Sequence, residues 1–111
     1  MTRTIQQAGS DAVIVAAART PIGTAFKGAL RDVTAMELAA IVVKEVQERS
    51  GLEPSQIDDI ILAESNYGGG DIARHAAVVT GMLQVPGQAL NRHCAGGLTA
   101  IGNAAAQIVA G

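Results

Sequence analysis

The stretch AGGLTAIGNAAAQIVAG, residues 95–111, has the composition of a helix and no wet side. Thr99, Asn103 and Gln107 are its only polar side chains; everything else is apolar or glycine. A helix that is apolar nearly all round is stable only where neighbours cover it on every side. One small sheet cannot do that. The chain is therefore expected to be part of something larger, or to pair extensively with another chain.

Composition points the same way. The 111 residues are 49% hydrophobic, yet Phe26 and Tyr67 are the only aromatics. The core must be built from Ala, Val, Ile and Leu, which suits close-packed helices on a buried sheet. It does not suit a protein that stacks bases on aromatic rings. Eight Lys and Arg oppose ten Asp and Glu, a net charge of -2, and no basic run is dense enough to neutralise a phosphate backbone. No nucleic-acid partner is expected. Cys94, the one cysteine, cannot form an internal disulfide. The opening MTRTIQQAGSDA lacks the apolar core of a signal peptide, and no apolar run reaches the length of a membrane span. These readings lead us to expect a cytoplasmic protein without a membrane span, with residues 1–10 a flexible tail and 11–111 one incomplete domain.

Along the chain, AVIVAAA at 12–18 is a short apolar run without alternation, as in a strand buried on both faces of a parallel sheet. Arg19-Thr20-Pro21 ends it, since the residue before proline is pushed out of the helical region, and a long loop follows to residue 33. Thr34-Ala35-Met36-Glu37 fits a capping box. Behind it Leu38, Ile41, Val42 and Val46 repeat at helical spacing until Gly51, a left-handed cap. Pro54-Ser55 restarts a short helical turn, and DIILAES at 59–65 reads as a second strand. Asp71 could cap a helix from Ile72 to about Met82, with Ile72, Ala76, Val79 and Leu83 on one side. A turn at Pro86-Gly87 and a short strand occupy 85–90, and the last helix starts near Cys94. Strand and helix alternate three times, which argues for an α/β domain with a mainly parallel sheet.

The segment NRHCAGGLTAIG, residues 91–102, puts Cys94 where a strand gives way to that last helix. A thiol at a helix N-terminus is favoured as the thiolate by unpaired N–H groups and the helix dipole. Those same N–H groups can donate to an oxyanion forming on an attacked carbonyl. Gly96 and Gly97 disfavour helix by propensity, and are reasonable where a substrate or another backbone lies flat against the first turn. Against this stands the ordinary behaviour of a free cysteine, which is to fill a core as a small hydrophobe. The residues alone leave both readings open.

The same segment resembles the nucleophile region of the thiolases, which place Asn three residues before the Cys and Gly three residues after it; Asn91, Cys94 and Gly97 match. VIVAAARTPIGTAFKGALRDVTAMELAA, from Val13, is similar to the thiolase first strand and following loop. GGGDIARHAAVVTGM, from Gly68, is similar to the segment before the nucleophile. Gly96 stands where thiolases commonly carry Ser, a difference that bears on subfamily rather than on the reactive group. The resemblance implies the N-terminal part of a layered αβαβα fold, with a mainly parallel sheet and a buried helix carrying the cysteine. It implies an acyl-CoA C-acyltransferase acting through an acyl-Cys94 intermediate, either in thiolysis of a 3-ketoacyl-CoA or in Claisen condensation of acetyl-CoA. Asn91 would hold the turn and Gly97 would keep the helix start open.

Coenzyme A and acyl-CoA would be substrates, with no covalently bound cofactor and no metal. A homo-oligomer, dimer or tetramer, or a C-terminal partner fragment is expected. Thiolases take their base, second Cys and Asn–water pair from later sequence, so this chain alone is expected to be inactive. Two other readings are a ketoacyl synthase-like condensing enzyme, disfavoured by Arg-Thr-Pro-Ile-Gly at 19–23, and a non-catalytic assembly module folded with partner chains. His93 adjoins Cys94, but neighbours across such a turn point apart, so it is not expected to be the base. His75 reads as a solvated or interface histidine. The glycines at 68–70 lack the lysine and spacing of a phosphate cradle, and read as a loop near a subunit contact.

Overall fold

A computed structural model describes residues 11–67 and 69–111. The expected tail at 1–10 and Gly68 lie outside the described residues. The order is α1 (Ala35–Ser50), a 3-10 turn (Pro54–Gln56), β1 (Ile60–Ala63), α2 (Ile72–Val79), β2 (Gly87–Leu90), a second 3-10 turn (His93–Ala95) and α3 (Gly96–Ala110). The two strands are parallel, with Ile60 opposite Gly87 and Ala63 opposite Leu90.

Helix α1 is bounded as its sequence demands. The Thr34 hydroxyl accepts from the Glu37 N–H at 3.1 Å, and the Glu37 carboxylate accepts from the Thr34 N–H at 2.7 Å. The Thr34 N–H first, and its hydroxyl second, hold the Glu37 carboxyl below the usual carboxylate range. Gly51 ends the helix at φ 70, a left-handed value natural to glycine. Val43 is the most buried residue of α1; Leu38, Val42 and Val46 of the expected stripe are half-buried, whereas Ile41 is exposed.

Helix α2 stops at Val79 rather than near Met82. The Thr80 hydroxyl donates to the Ala76 carbonyl at 2.6 Å, and Gly81 at φ 88 turns the chain. Val79 and Leu83 consequently face outward, and Ile72, Ala73, Ala76 and Ala77 are the buried side chains of α2. Those alanines let α1 and α2 approach closely over Val43, Met82 and Val85, with Ile57, Ile60 and Leu62 of the sheet side against them. Arg74 pins the α2–β2 connection by donating to the Val85 carbonyl at 2.7 Å and the Leu83 carbonyl at 2.9 Å. Gly87 is required here, because a Cβ would run into the Ala73–Arg74 backbone.

Two expectations need correction. Residues 12–18 form no strand: among the described residues they pair with no neighbour, and Val13, Ile14 and Val15 are 71%, 81% and 68% exposed. A strand needs a hydrogen-bonded ladder as well as apolar side chains. Among the described residues the run is tied by one hydrogen bond, from the Arg49 guanidinium to the Ala17 carbonyl at 2.9 Å. The run lines a cavity of about 410 Å³ with Val42, Val46, Ile60 and Leu62. The second correction concerns α3, which is covered on one side only. It lies on β1 through Gly96 and Ala100, while Leu98 and Ile101 are 77% and 59% exposed. A two-stranded sheet offers one face and cannot surround an apolar cylinder. No helix among the described residues is long and apolar enough to cross a membrane.

Candidate functional site

Both parallel strands end at the same edge, Ala63 beside Leu90. In α/β sheets this carboxyl edge is where the loops gather that bind ligands. The last rung is the Glu64 N–H, which donates to the Leu90 carbonyl at 2.9 Å. Beyond it the chain leaves β1 into residues 65–71 and leaves β2 into the turn that carries Cys94.

That turn is held at three points. Asn91 Oδ1 accepts from the His93 N–H at 2.9 Å, and Asn91 Nδ2 donates to the Ser65 carbonyl at 3.1 Å, across to the other loop. The Ala95 N–H donates to the Arg92 carbonyl at 3.0 Å, closing the 3-10 turn. His93 is forced to φ 46, a left-handed conformation that non-glycine residues seldom adopt. Such local strain persists only where surrounding contacts impose it.

Cys94 sits in the middle of this turn with its thiol exposed. It is neither core filler nor on the first turn of α3, which begins two residues later at Gly96. The correction has a simple cause. The left-handed His93 winds the chain into a 3-10 turn, and α-helical geometry resumes only past it. Cys94 is thus immediately ahead of the first-turn N–H groups of α3, the electropositive end of that helix.

The two glycines after the cysteine do different things. A Cβ on Gly96 would lie 2.6 Å from the Ala63 Cβ, so the missing side chain lets α3 rest on β1. A Cβ on Gly97 would meet nothing within 4 Å. Gly97 faces open space, and Gly96 is a packing requirement that the sequence reading did not separate from it.

The structure brings Asn91, His93 and Cys94 into one turn with Gly97 just beyond. Among the described residues no hydrogen bond joins the His93 ring to Cys94. His75 lies on α2, beside the structural Arg74. Two residues escaped the sequence reading. Ser65, at φ 50, supplies the carbonyl that Asn91 grips, and Glu64 caps α2 by accepting from the Ile72 N–H at 2.7 Å. Asp71 caps the same helix through the Arg74 N–H at 3.2 Å. Serine before the asparagine and glycines of 66–70 signalled only a turn; the backbone carbonyl it offers has no sequence signature. Among the described residues no group of three or more His, Cys, Asp or Glu is placed to hold a metal ion.

The family described as "Thiolase, N-terminal domain" matches residues 12–111. This chain belongs to the thiolase family. It is 40% identical over 105 residues to an acetyl-CoA acetyltransferase of Cupriavidus necator, covering 92% of this chain and 26% of that one. It is 41% identical over 106 residues to a 3-ketoacyl-CoA thiolase of Bacillus subtilis, covering 91% of this chain and 27% of that one. Among solved structures, the acetyl-CoA acetyltransferase of Bacillus anthracis superposes with a TM-score of 0.77 at 41% identity, over 87% of this chain and 25% of that one. The acetyl-CoA acetyltransferase of Syntrophomonas wolfei gives 0.78 at 32% identity, over 88% of this chain and 25% of that one. The α/β thiolase fold is thereby established. The chain spans about a quarter of the length of the thiolases it matches.

Proposed function

We propose that this chain supplies the nucleophile region of an acyl-CoA C-acyltransferase, with Cys94 as the acyl acceptor. The observation that carries the reading is the setting of Cys94: an exposed thiol at the carboxyl edge of a parallel sheet, on a turn held in strained geometry, just ahead of the open helix start at Gly97. The names of the related proteins, acetyl-CoA acetyltransferase and 3-ketoacyl-CoA thiolase, support it.

In this reading the Cys94 thiolate attacks the carbonyl carbon of an acyl thioester. A carbon–sulfur bond forms, the tetrahedral oxyanion collapses, and coenzyme A leaves as its thiolate. In condensation the enolate of acetyl-CoA attacks the acyl-cysteine, so that a carbon–carbon bond forms and the Cys94 thiolate is released. In the reverse direction Cys94 attacks the 3-keto carbon of a 3-ketoacyl-CoA, the bond between carbons 2 and 3 breaks, and acetyl-CoA departs as an enolate that is then protonated. Coenzyme A finally takes the acyl group from sulfur. The Cys94 N–H serves as one oxyanion donor, and Asn91 holds the turn that aims it. A related structure, the Acat5 thiolase of Ascaris suum, is in complex with coenzyme A, which supports coenzyme A as the carrier here. We further propose that the apolar residues left open on α3, Leu98, Ile101, Ile108 and Val109, are covered in the working protein by a second copy or by a C-terminal segment. An exposed catalytic thiol calls for a reducing compartment, and we assign the protein to the cytoplasm.

The test is to incubate the chain with acetyl-CoA and map the product by peptide mass spectrometry. A hydroxylamine-labile acetyl group is expected on Cys94, and none in Cys94→Ser. Acetylation confined to other residues overturns the assignment. The chain alone is expected to show no turnover, because no described side chain hydrogen-bonds the Cys94 thiol to act as its base; multiple turnovers from it would refute that part.

A further inference from the structure

The loops after β1 and β2 are tied together by side-chain and backbone groups that no local pattern links. The Tyr67 N–H donates to the Glu64 carbonyl at 2.8 Å, closing a turn whose second residue is Ser65 at φ 50. A positive φ at that position is the mark of the mirror-image turns, and it sets the direction of the Ser65 carbonyl. That carbonyl receives Asn91 Nδ2 at 3.1 Å, while Asn91 Oδ1 receives the His93 N–H at 2.9 Å. The primary amide thus bridges two left-handed residues, Ser65 and His93, and each end fixes the plane of the other. The far end of the first loop is held by Glu64 on the Ile72 N–H at 2.7 Å.

We infer that Ser65 is a positioning residue for the Cys94 turn, acting through its backbone. Its left-handed conformation presents the carbonyl that orients the Asn91 amide, and the oriented amide holds His93 in the geometry that places Cys94 ahead of α3. The hydroxyl of Ser65 has no part in this. Glycine should therefore serve as well as serine, and a β-branched residue should not, because left-handed backbone is costly for it. Only the consequence for acylation rests on the acyl-acceptor reading of Cys94; the mechanical tie stands on the two hydrogen bonds and two φ values.

The experiment uses Ser65→Gly, Ser65→Val, Asn91→Asp and the double variant Ser65→Val with Asn91→Asp. Aspartate keeps the acceptor for His93 and loses the donor to Ser65. Amide hydrogen exchange of Ala95 and Gly96 reports the turn directly. Exchange should quicken about fivefold, the worth of one ordinary net hydrogen bond, in Ser65→Val and in Asn91→Asp. It should stay unchanged in Ser65→Gly and rise no further in the double variant, since both changes break one tie. In acetyl-CoA labelling of Cys94, the limiting rate should fall by a similar factor with the half-saturating concentration unchanged. Equal damage from Ser65→Gly and Ser65→Val, multiplied effects in the double variant, or unaltered exchange in Asn91→Asp overturns the inference. A fall confined to the half-saturating concentration also overturns it. If Cys94 is never acetylated but the exchange pattern holds, the proposed function fails and the positioning role survives.

Discussion

The α1–α2 layer and the Cys94 turn are built on different principles. In the first, Ala76 and Ala77 are fully buried, and Val43, Met82 and Val85 close over them. Shape and apolar area define that region, and polar groups serve mainly at its ends, as in the Thr34–Glu37 box. In the second, few side chains are buried. The turn is specified by hydrogen bonds from Asn91, by left-handed backbone at Ser65 and His93, and by one missing Cβ at Gly96. Close packing makes the layer sensitive to volume. The turn is sensitive instead to direction, and it leaves its thiol free to react.

The largest expected effect separates chemistry from packing outright. In the complete enzyme Cys94→Ser should lower acyl transfer by roughly a thousandfold or more, as loss of a nucleophile does, while thermal unfolding stays where it is because the thiol is exposed. A matching loss of stability would mean that the turn belongs to the packed body after all. Ala76→Leu is the converse. Forcing a larger side chain into a fully buried position should cost about 1–3 kcal/mol in denaturant unfolding and leave alkylation of Cys94 in the folded protein unaltered.

The paired glycines sharpen the boundary between the regions. Gly96→Ala should cost about 1–3 kcal/mol, since its Cβ meets that of Ala63. Gly97→Ala should gain up to about 1 kcal/mol from helix propensity and still slow acetylation of Cys94 by narrowing its approach. Similar stabilities for the two variants would show that α3 does not rest on β1 as described. Thr34→Ala, remote from the turn, should cost about 1 kcal/mol, the usual worth of an N-cap, with no effect on Cys94. The smallest effect is in pH. Because the Glu37 carboxyl is held below the usual range by the Thr34 N–H and then its hydroxyl, its contribution is present above the ordinary carboxylate pKa. That contribution is lost as pH falls through the lowered folded value. An NMR titration of Glu37 should show the depressed value, moving partway back in Thr34→Ala.

Much of the layer could be read in advance because its signals are local. The capping box at Thr34, the left-handed Gly51, the Asp71 cap and the apolar run before Glu64 each depend on residues within a few positions of one another. Helix faces were read less well. Val79 and Leu83 fit the helical period, yet face outward, because α2 ends at Val79 and Gly81 turns the chain; Ile41 fits the period of α1, and its position is the one α2 leaves uncovered. Of the candidate site, Asn91, Cys94 and Gly97 were singled out through the resemblance to the thiolase segment, and the turn type was not. Ser65 lies 26 positions from Asn91, and nothing in its neighbourhood marks its carbonyl as an anchor.

By itself the sequence determined the alternation of helix and strand from α1 onward, the caps at Thr34, Gly51 and Asp71, and the presence of one thiol behind a polar triplet at a strand's end. These follow from short-range sterics and hydrogen bonding, which each segment carries wherever it is placed. Tertiary structure alone decided three things. The first apolar run lies unpaired, α3 is covered on one face, and Cys94 stands on a strained 3-10 turn ahead of the helix. Those outcomes depend on which surfaces meet across the sheet, and a chain's local preferences do not encode the position of a distant carbonyl or a missing Cβ.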